Sequence, residues 1–502
     1  MSRASSITHS LGWCIALLCL LPGASASSWF GETPGSLGWL WPWVKLAKPP
    51  VCIIGAGPSG LTAAYNLQLK GYKTVIFDKQ PEIGGKCQAY YDNVFHPLGA
   101  AFFSNLTYTE TLKVINNVSV SASEFSLAGT ARTQFNINVT TGVTTRVVSP
   151  TPTFQQLLAA EVPKYTQLWT QQFANISAAG YKKGVPASLT ATAEDWFRTN
   201  GFVALPIALT NPQALYGYGD IRRVPILYIL QYITPDILLG FIGARNVYYT
   251  DFHQIFLDWT KKFITNPIHT SANITSIDRS GKYPYITYQK TYHFLMRNDL
   301  KEHHKKTAKQ RCSSLIMAFP PTTENLDAAG LDYTPAERTL FPKVNVENYY
   351  SSAVSLKVPY GNSYIASSST PGIPPPALGE PVALLVLSNI SNISTTWSWG
   401  PYREYQSIDT AYTLLKDTLS KVNRDPRDPN ATSTVVQDED VKAFRKWDYF
   451  PHFDGPALAE GAYETFNGLQ GCNKTFWASG LNGMETVEWA IRGAQDIVTS
   501  YF

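Results

Sequence analysis

Apolar and polar positions along this 502-residue chain change period several times. The run Val51–Ile54 is continuously apolar and is followed by a glycine-rich turn, the pattern of a buried strand leaving a sheet. A helix is predicted from about Pro58 to Lys70, and a second apolar strand at "TVIF" (74–77). Residues 104–150 are rich in Thr, Val, Ser and Asn and alternate in "QFNINVTTGVTTRVV", which predicts β-hairpins. From Thr153 to about Phe263 the period is helical, as in "TFQQLLAAEVPKYTQLWTQQFANI" and "TDFHQIFLDWTKKFI". The stretch "VPILYILQYITPDILLGFIG" (224–243) is strongly apolar, but Gln231, Pro235 and Asp236 interrupt it. It reads as a pair of buried helices rather than a membrane span; helices lining a substrate cavity or resting on a membrane are the alternative. Strands return at "SANITSIDR", "YPYITYQ" and "CSSLIMAFPP" (312–321), and again across 344–399. The chain closes on strand, glycine turn and amphipathic helix, "KTFWASGLNGMETVEWAIRGAQDIVTSYF". The α/β signals at the start, middle and end enclose other material, so one nucleotide-binding domain assembled from separated segments is expected.

Composition narrows the class. Hydrophobic residues make up 44% and charged residues 16%, with a net charge of +4, too weak a balance to point to nucleic acid. The basic tract "KEHHKKTAKQR" (301–311) has no interleaved aromatics and reads as a solvated loop or hairpin. At the N-terminus, Arg3 and His9 precede an apolar run from Leu11 to Leu21, Pro22 breaks it, and Ala24-Ser25-Ala26 supplies small residues. This is the pattern of a secretory signal cleaved near Ala26, followed by an irregular Trp-, Gly- and Pro-rich leader over 27–48. Asn-x-Ser/Thr occurs at Asn105, Asn117, Asn138, Asn175, Asn273, Asn389, Asn392, Asn430 and Asn473. Chance placement of 25 asparagines gives about four such sites, so the excess agrees with a secreted, N-glycosylated protein. Four cysteines remain beyond the signal, too few for a disulfide scaffold, and Cys52 reads as a small core residue of its strand. No Cys/His spacing resembles a zinc site.

The candidate chemistry begins at Gly55-Ala56-Gly57-Pro58-Ser59-Gly60. Gly55 allows the tight turn, Gly57 lets the backbone approach a pyrophosphate, and Gly60 lets helix and strand pack. The helix N-terminus, with Pro58 in its first turn, points N–H groups at phosphate. Asp78 follows the second strand and can accept ribose hydroxyl hydrogen bonds. Strand, turn, helix, strand and acid together predict a dinucleotide site. Beyond Asp78 the chain continues "KQPEIGGKCQ". The pair Gly84-Gly85 and the cation Lys86 suit bound FAD, and no second GxGxxG marks a separate NAD(P)H domain.

These blocks resemble the flavin-containing amine oxidase superfamily: "GAGPSGLTAAYNL…VIFDK…IGGK", "SLIMAFPP" and "FWASGLNGMETVEWAI". Within it, the tail "WDYFPHFDGPALAEGAYETFNGLQGCNKTFWASGLNGMETVEWAIRGAQDIV" is similar to fungal beta-cyclopiazonate dehydrogenase-like flavoproteins, and "GGKC…HPLGAAF" agrees. The resemblance implies an α/β fold, α+β overall: a Rossmann-like FAD-binding domain from 49–104, 251–340 and 446–502, and a substrate domain of mixed sheet and helices from 105–250 and 341–445. It implies that Gly55, Gly57, Pro58, Ser59, Gly60, Asp78, Gly85 and Lys86 hold the ADP half of FAD. Ile274 would lie in the strand beside the adenosine, and Gly480, Met484, Glu485 and Thr486 near the isoalloxazine. A carboxylate aimed at the flavin pyrimidine ring would repel the reduced anion, so Glu485 is expected to cap the helix or to reach ribityl or phosphate groups through water. Lys357 is the positional candidate for a water-bridged flavin lysine. His96 and His452 are candidates for proton transfer or substrate contact. The implied activity is FAD-dependent oxidation of a small organic substrate, apolar or indole- or terpenoid-like, by C–N or C–C dehydrogenation or oxidative cyclisation. Oxygen or a diffusible acceptor would take the electrons. Double-bond isomerisation and a non-catalytic FAD-retaining glycoprotein are the alternatives.

Overall fold

The computed structural model describes residues 48–128, 132–295, 301–366, 368 and 370–502. The predicted signal and the leader as far as Ala47 lie outside the described residues.

Val51–Ile54 is the centre of a five-stranded parallel sheet, buried at all four positions, which is why its sequence shows no alternation. Across the sheet the strands run Ile268–His269, Thr74–Phe77, Val51–Ile54, Ser314–Met317 and Thr475–Trp477. Three stretches far apart in the chain thus supply neighbouring strands. The first helix, Pro58–Leu69, and the C-terminal helix, Val487–Tyr501, pack together on this sheet, sharing a core of Leu61, Ala64, Ile491 and Ala494 with Phe256 and Trp259. A three-stranded antiparallel sheet follows in sequence (Ala272–Asp278, Tyr285–Leu295, Lys301–Arg311), so the basic tract is one arm of a hairpin.

The second large sheet has seven strands, ordered Val441–Phe453, Val344–Ser355, Ile393–Trp399, Pro381–Leu385, Asn362–Ala366, Thr133–Ile137 and Thr144–Arg146. The expected domain boundary at 446 falls inside the edge strand Val441–Phe453, which pairs along its length with Val344–Ser355. The apolar stretch 224–243 forms two buried helices, Ile226–Tyr232 and Pro235–Phe241, with the break at Thr234-Pro235. Among the described residues no helix is long and apolar enough to cross a membrane.

Two expectations need correction. Residues 104–150 are not hairpins throughout: Thr109–Ile115 is a helix, and only Thr133–Ile137 and Thr144–Arg146 pair as a hairpin. The helix starts without a local side-chain cap; the Glu488 carboxylate of the C-terminal helix accepts from the Glu110 and Thr111 N–H groups instead. Cys52 is not a free core thiol. It is joined to Cys312, which enters the neighbouring strand of the parallel sheet, 260 residues on.

Candidate functional site

The turn after the central strand places its glycines where no side chain fits. A Cβ on Gly60 would lie 1.9 Å from the Gly55 carbonyl oxygen, and one on Gly85 would lie 2.9 Å from the Gly57 Cα. The second contact brings the "IGGK" loop against the first glycine turn, fastened by Gly84 N–H donating to Ala56 O at 2.9 Å. Together they form one wall of a cavity of about 290 Å³. The start of the first helix (Gly57, Pro58, Ser59) and the start of the C-terminal helix (Thr486, Val487) both face it. Two sets of N-terminal N–H groups therefore aim at one space, an arrangement suited to anionic phosphates. Ser59 Oγ donates to the Ala478 carbonyl at 2.7 Å and ties the two ends together.

Asp78 closes the adenosine end. Its Oδ2 accepts from Ala56 N–H at 2.6 Å and its Oδ1 from Gln80 N–H at 2.7 Å, which fixes the carboxylate with lone pairs to spare. Burial raises its pKa, and the two backbone donors act against that rise. Ile274 lines the same end with Ala272. At the other end, Lys86 Nζ is 2.8 Å from Glu485 Oε2 and 5.5 Å from the Tyr449 ring centre. Glu485 does not cap the helix: the Thr486 side chain does, accepting from Trp489 N–H. The Glu485 backbone carbonyl is held by Tyr218 and Tyr449 hydroxyls at 2.9 and 3.3 Å. Cys87 also borders the cavity; burial pushes its thiol well up, so it is no thiolate.

The cavity thus gathers Gly55, Gly57, Pro58, Ser59, Asp78, Gly85, Lys86, Ile274, Gly480, Glu485 and Thr486. Gly60 and Met484 stand behind the wall, Gly60 in the helix packing contact and Met484 in the core, 1% exposed. The three candidate catalytic groups are elsewhere. Lys357 is exposed past the end of its strand, with its backbone N–H on Asn423 Oδ1. His96 is buried between Asp92 and Ser391, each 3.2 Å from Nε2; burial lowers its pKa and Asp92 opposes that. His452 is fully buried with Nδ1 2.8 Å from Phe450 O, and burial lowers its pKa to about 4. It is therefore a neutral ring that donates to Phe450 and accepts from Tyr402, 3.3 Å away.

The cavity wall that sequence reading missed is the strand carrying Lys446, Trp447, Asp448 and Tyr449, with Asn325 donating to Asp448 at 3.0 Å. Trp447 Nε1 donates to the Leu98 carbonyl at 2.8 Å, fastening "HPLGAAF" under the seven-stranded sheet. The clue was that "WDYF" falls in the segment 446–502 assigned to the FAD-binding domain, but its strand assignment comes from pairing with Val344–Ser355.

Comparison with known proteins agrees with this geometry. Residues 53–117 match the NAD(P)-binding Rossmann-like domain family. An FAD-dependent oxidoreductase of Colletotrichum higginsianum is 24% identical over 446 residues, covering 86% of this chain and 88% of its own length. Among solved structures, a CLA-producing fatty acid isomerase from P. acnes superposes with a TM-score of 0.72 at 21% identity, covering 90% of this chain and 99% of the other. A putrescine oxidase superposes with a TM-score of 0.60 at 14% identity, covering 90% and 98%. The chain shares its fold with these flavoenzymes, and the residues of its cradle fit FAD.

Proposed function

We propose that the chain is an FAD-dependent oxidoreductase that takes a hydride from a small organic substrate, by C–N or C–C dehydrogenation, and passes the electrons to oxygen or a diffusible acceptor. The observation that carries this is the single cavity bounded by two helix N-termini, Asp78 and Lys86. FAD, when bound, supplies the two-electron redox chemistry. The chain supplies the rest. Asp78 accepts from the ribose, the two helix starts and Lys86 balance phosphate charge, and the Trp447–Tyr449 strand walls the far side from water. The purified protein is expected to be yellow, to release FAD on denaturation and to be bleached by substrate without oxygen. Colourless protein that cannot be reconstituted with FAD would overturn this reading.

The same proposal places the protein in the secretory pathway or outside the cell. All nine sequon asparagines are exposed, whereas of the other fifteen described asparagines only Asn93, Asn116 and Asn246 are. The Cys52–Cys312 disulfide suits an oxidising compartment. Intact-mass measurement before and after N-glycosidase should show glycan loss and an N-terminus near Ser27; an unmodified chain starting at Met1 would refute it.

A second reading, double-bond isomerisation without net oxidation, is favoured by one observation: a second, largely apolar cavity on the seven-stranded sheet. Product formed anaerobically with no acceptor consumed would select it; peroxide formation would select the oxidase.

A further inference from the structure

The second cavity, about 290 Å³, has a floor set by strand register. Arg132, Gln134 and Asn136 alternate onto one face of Thr133–Ile137 and its preceding residue. Ser363 and Ile365 stand beside Gln134 and Asn136 on the next strand, then Leu385 and Ala383, then Trp397. The floor therefore grades from polar at Arg132 to apolar at Trp397. The roof is mostly apolar, Phe102, Phe125, Leu215, Tyr216 and Phe241, with Asn211 as its polar member.

The polar end is unsatisfied. Arg132 rests its guanidinium over the Phe125 ring at 4.5 Å and donates from one terminal nitrogen to the Ser126 carbonyl at 3.1 Å. Its Nε is buried with no acceptor, and among the described residues no carboxylate pairs with it. Ser363 Oγ, lining the same floor, is likewise buried without a partner. A half-buried guanidinium whose buried Nε–H lacks an acceptor, beside an apolar chamber, is unfavourable unless an acceptor, best an anion, completes it.

The apolar end leads toward the cofactor cradle. Tyr349 lies between the cavities, its ring 5.0 Å from Tyr449 of the cradle wall and its hydroxyl donating to the carbonyl of Leu215 in the second cavity at 2.6 Å. The strand of Tyr449 and the strand next to Arg132 are five steps apart in one sheet, roughly 20–25 Å at the usual strand spacing. A ligand held at Arg132 that presents its far end to the cradle must be elongated.

We infer that this cavity is the substrate chamber and takes an elongated apolar monocarboxylic acid, its carboxylate on Arg132 and its apolar body running toward the Tyr349–Tyr449 wall. This rests on the FAD-cradle reading only for what happens at the far end; binding at Arg132 is read separately. Isothermal titration of the FAD-loaded full chain with oleate, methyl oleate and oleylamine tests it. Oleate should bind at least tenfold more tightly than either neutral or cationic analogue. Arg132→Gln should lose at least tenfold for oleate and leave methyl oleate unchanged, with Arg132→Lys intermediate. Equal affinity for the three probes, or an Arg132→Gln variant that binds oleate as the wild type does, would overturn the inference. The comparison of probes on the wild type stands even if the variants fail to fold. A yellow protein without carboxylate preference sinks only the chamber; a flavin-free protein that still prefers oleate through Arg132 sinks only the FAD reading.

Discussion

Glu485 and Lys86 show how a residue's neighbours decide its role. The sequence marks Lys86 as a cation for a pyrophosphate and leaves Glu485 ambiguous; folding puts them 2.8 Å apart across 399 residues. The pair is partly open to solvent, so its own stabilisation is modest. Its weight falls on the cofactor, since a carboxylate facing the phosphate side opposes the charge that Lys86 offsets. Glu485→Gln should therefore tighten FAD several-fold and Lys86→Met weaken it by about tenfold, as read from flavin dissociation. Glu347 gives a pH prediction. It is buried and its pKa is pushed up to about 8, chiefly by desolvation, with Arg223 opposing and Asp220 reinforcing the rise. A raised carboxyl pKa means that the folded state holds a proton the unfolded state has lost. Between its ordinary value of 4.5 and about 8, stability therefore falls as pH rises, by up to ~1.4 kcal/mol per pH unit. Glu347→Gln should flatten that slope in denaturant melts across the interval; an unchanged slope would assign the pH dependence to other groups.

At the scale of elements, most boundaries follow from local pattern. The Pro58–Leu69 helix has glycine and proline at its start, and the Ile226–Tyr232 and Pro235–Phe241 pair breaks at its proline. The Thr109–Ile115 helix is the instructive miss. Its seven residues are too few to be stable alone, and its neighbourhood is rich in β-formers. Its N-terminal donors are satisfied by Glu488, 377 residues away, and Glu488 is itself held by Arg492 Nε at 2.6 Å. The same device recurs where buried Glu161 accepts from the N–H groups of Val203, Ala204 and Leu205 at the head of the Ala204–Leu215 helix. Glu488→Ala should cost about 2–4 kcal/mol, because it orphans the buried Thr111 N–H, the half-buried Glu110 N–H and the Arg492 charge. Hydrogen exchange should show the loss first in 109–115. Protection lost evenly across the chain would place the cost elsewhere.

At the scale of the whole molecule, the parallel sheet is assembled from strands at 51–77, 268–317 and 475–477, and the Cys52–Cys312 bond staples two of those stretches. Closing so long a loop limits the unfolded chain, and its loss typically costs about 2–5 kcal/mol. Cys52→Ser with Cys312→Ser should lower the melting temperature by several degrees and make it insensitive to reductant, while the wild type responds. A wild type indifferent to reductant would show that the bond carries little of the stability.

The sequence alone determined the cradle: a strand, a glycine turn, a helix, a second strand and Asp78 lie within 28 residues, so local sterics and hydrogen bonding suffice to specify them. The resemblance carried by the terminal block added Gly480 and Thr486 to it. Only the tertiary structure decided which distant groups meet that cradle. The chain-local candidates His96, Lys357 and His452 were carried off by strand pairing and burial, and Trp447 and Tyr449 were brought in. Arg132 gave no signal in sequence, because a lone arginine before a strand is ordinary. Its significance comes from a seven-stranded register that sets it, without a carboxylate partner among the described residues, at the polar end of an apolar chamber. Non-local pairing fixes what faces what, and no short-range pattern encodes it.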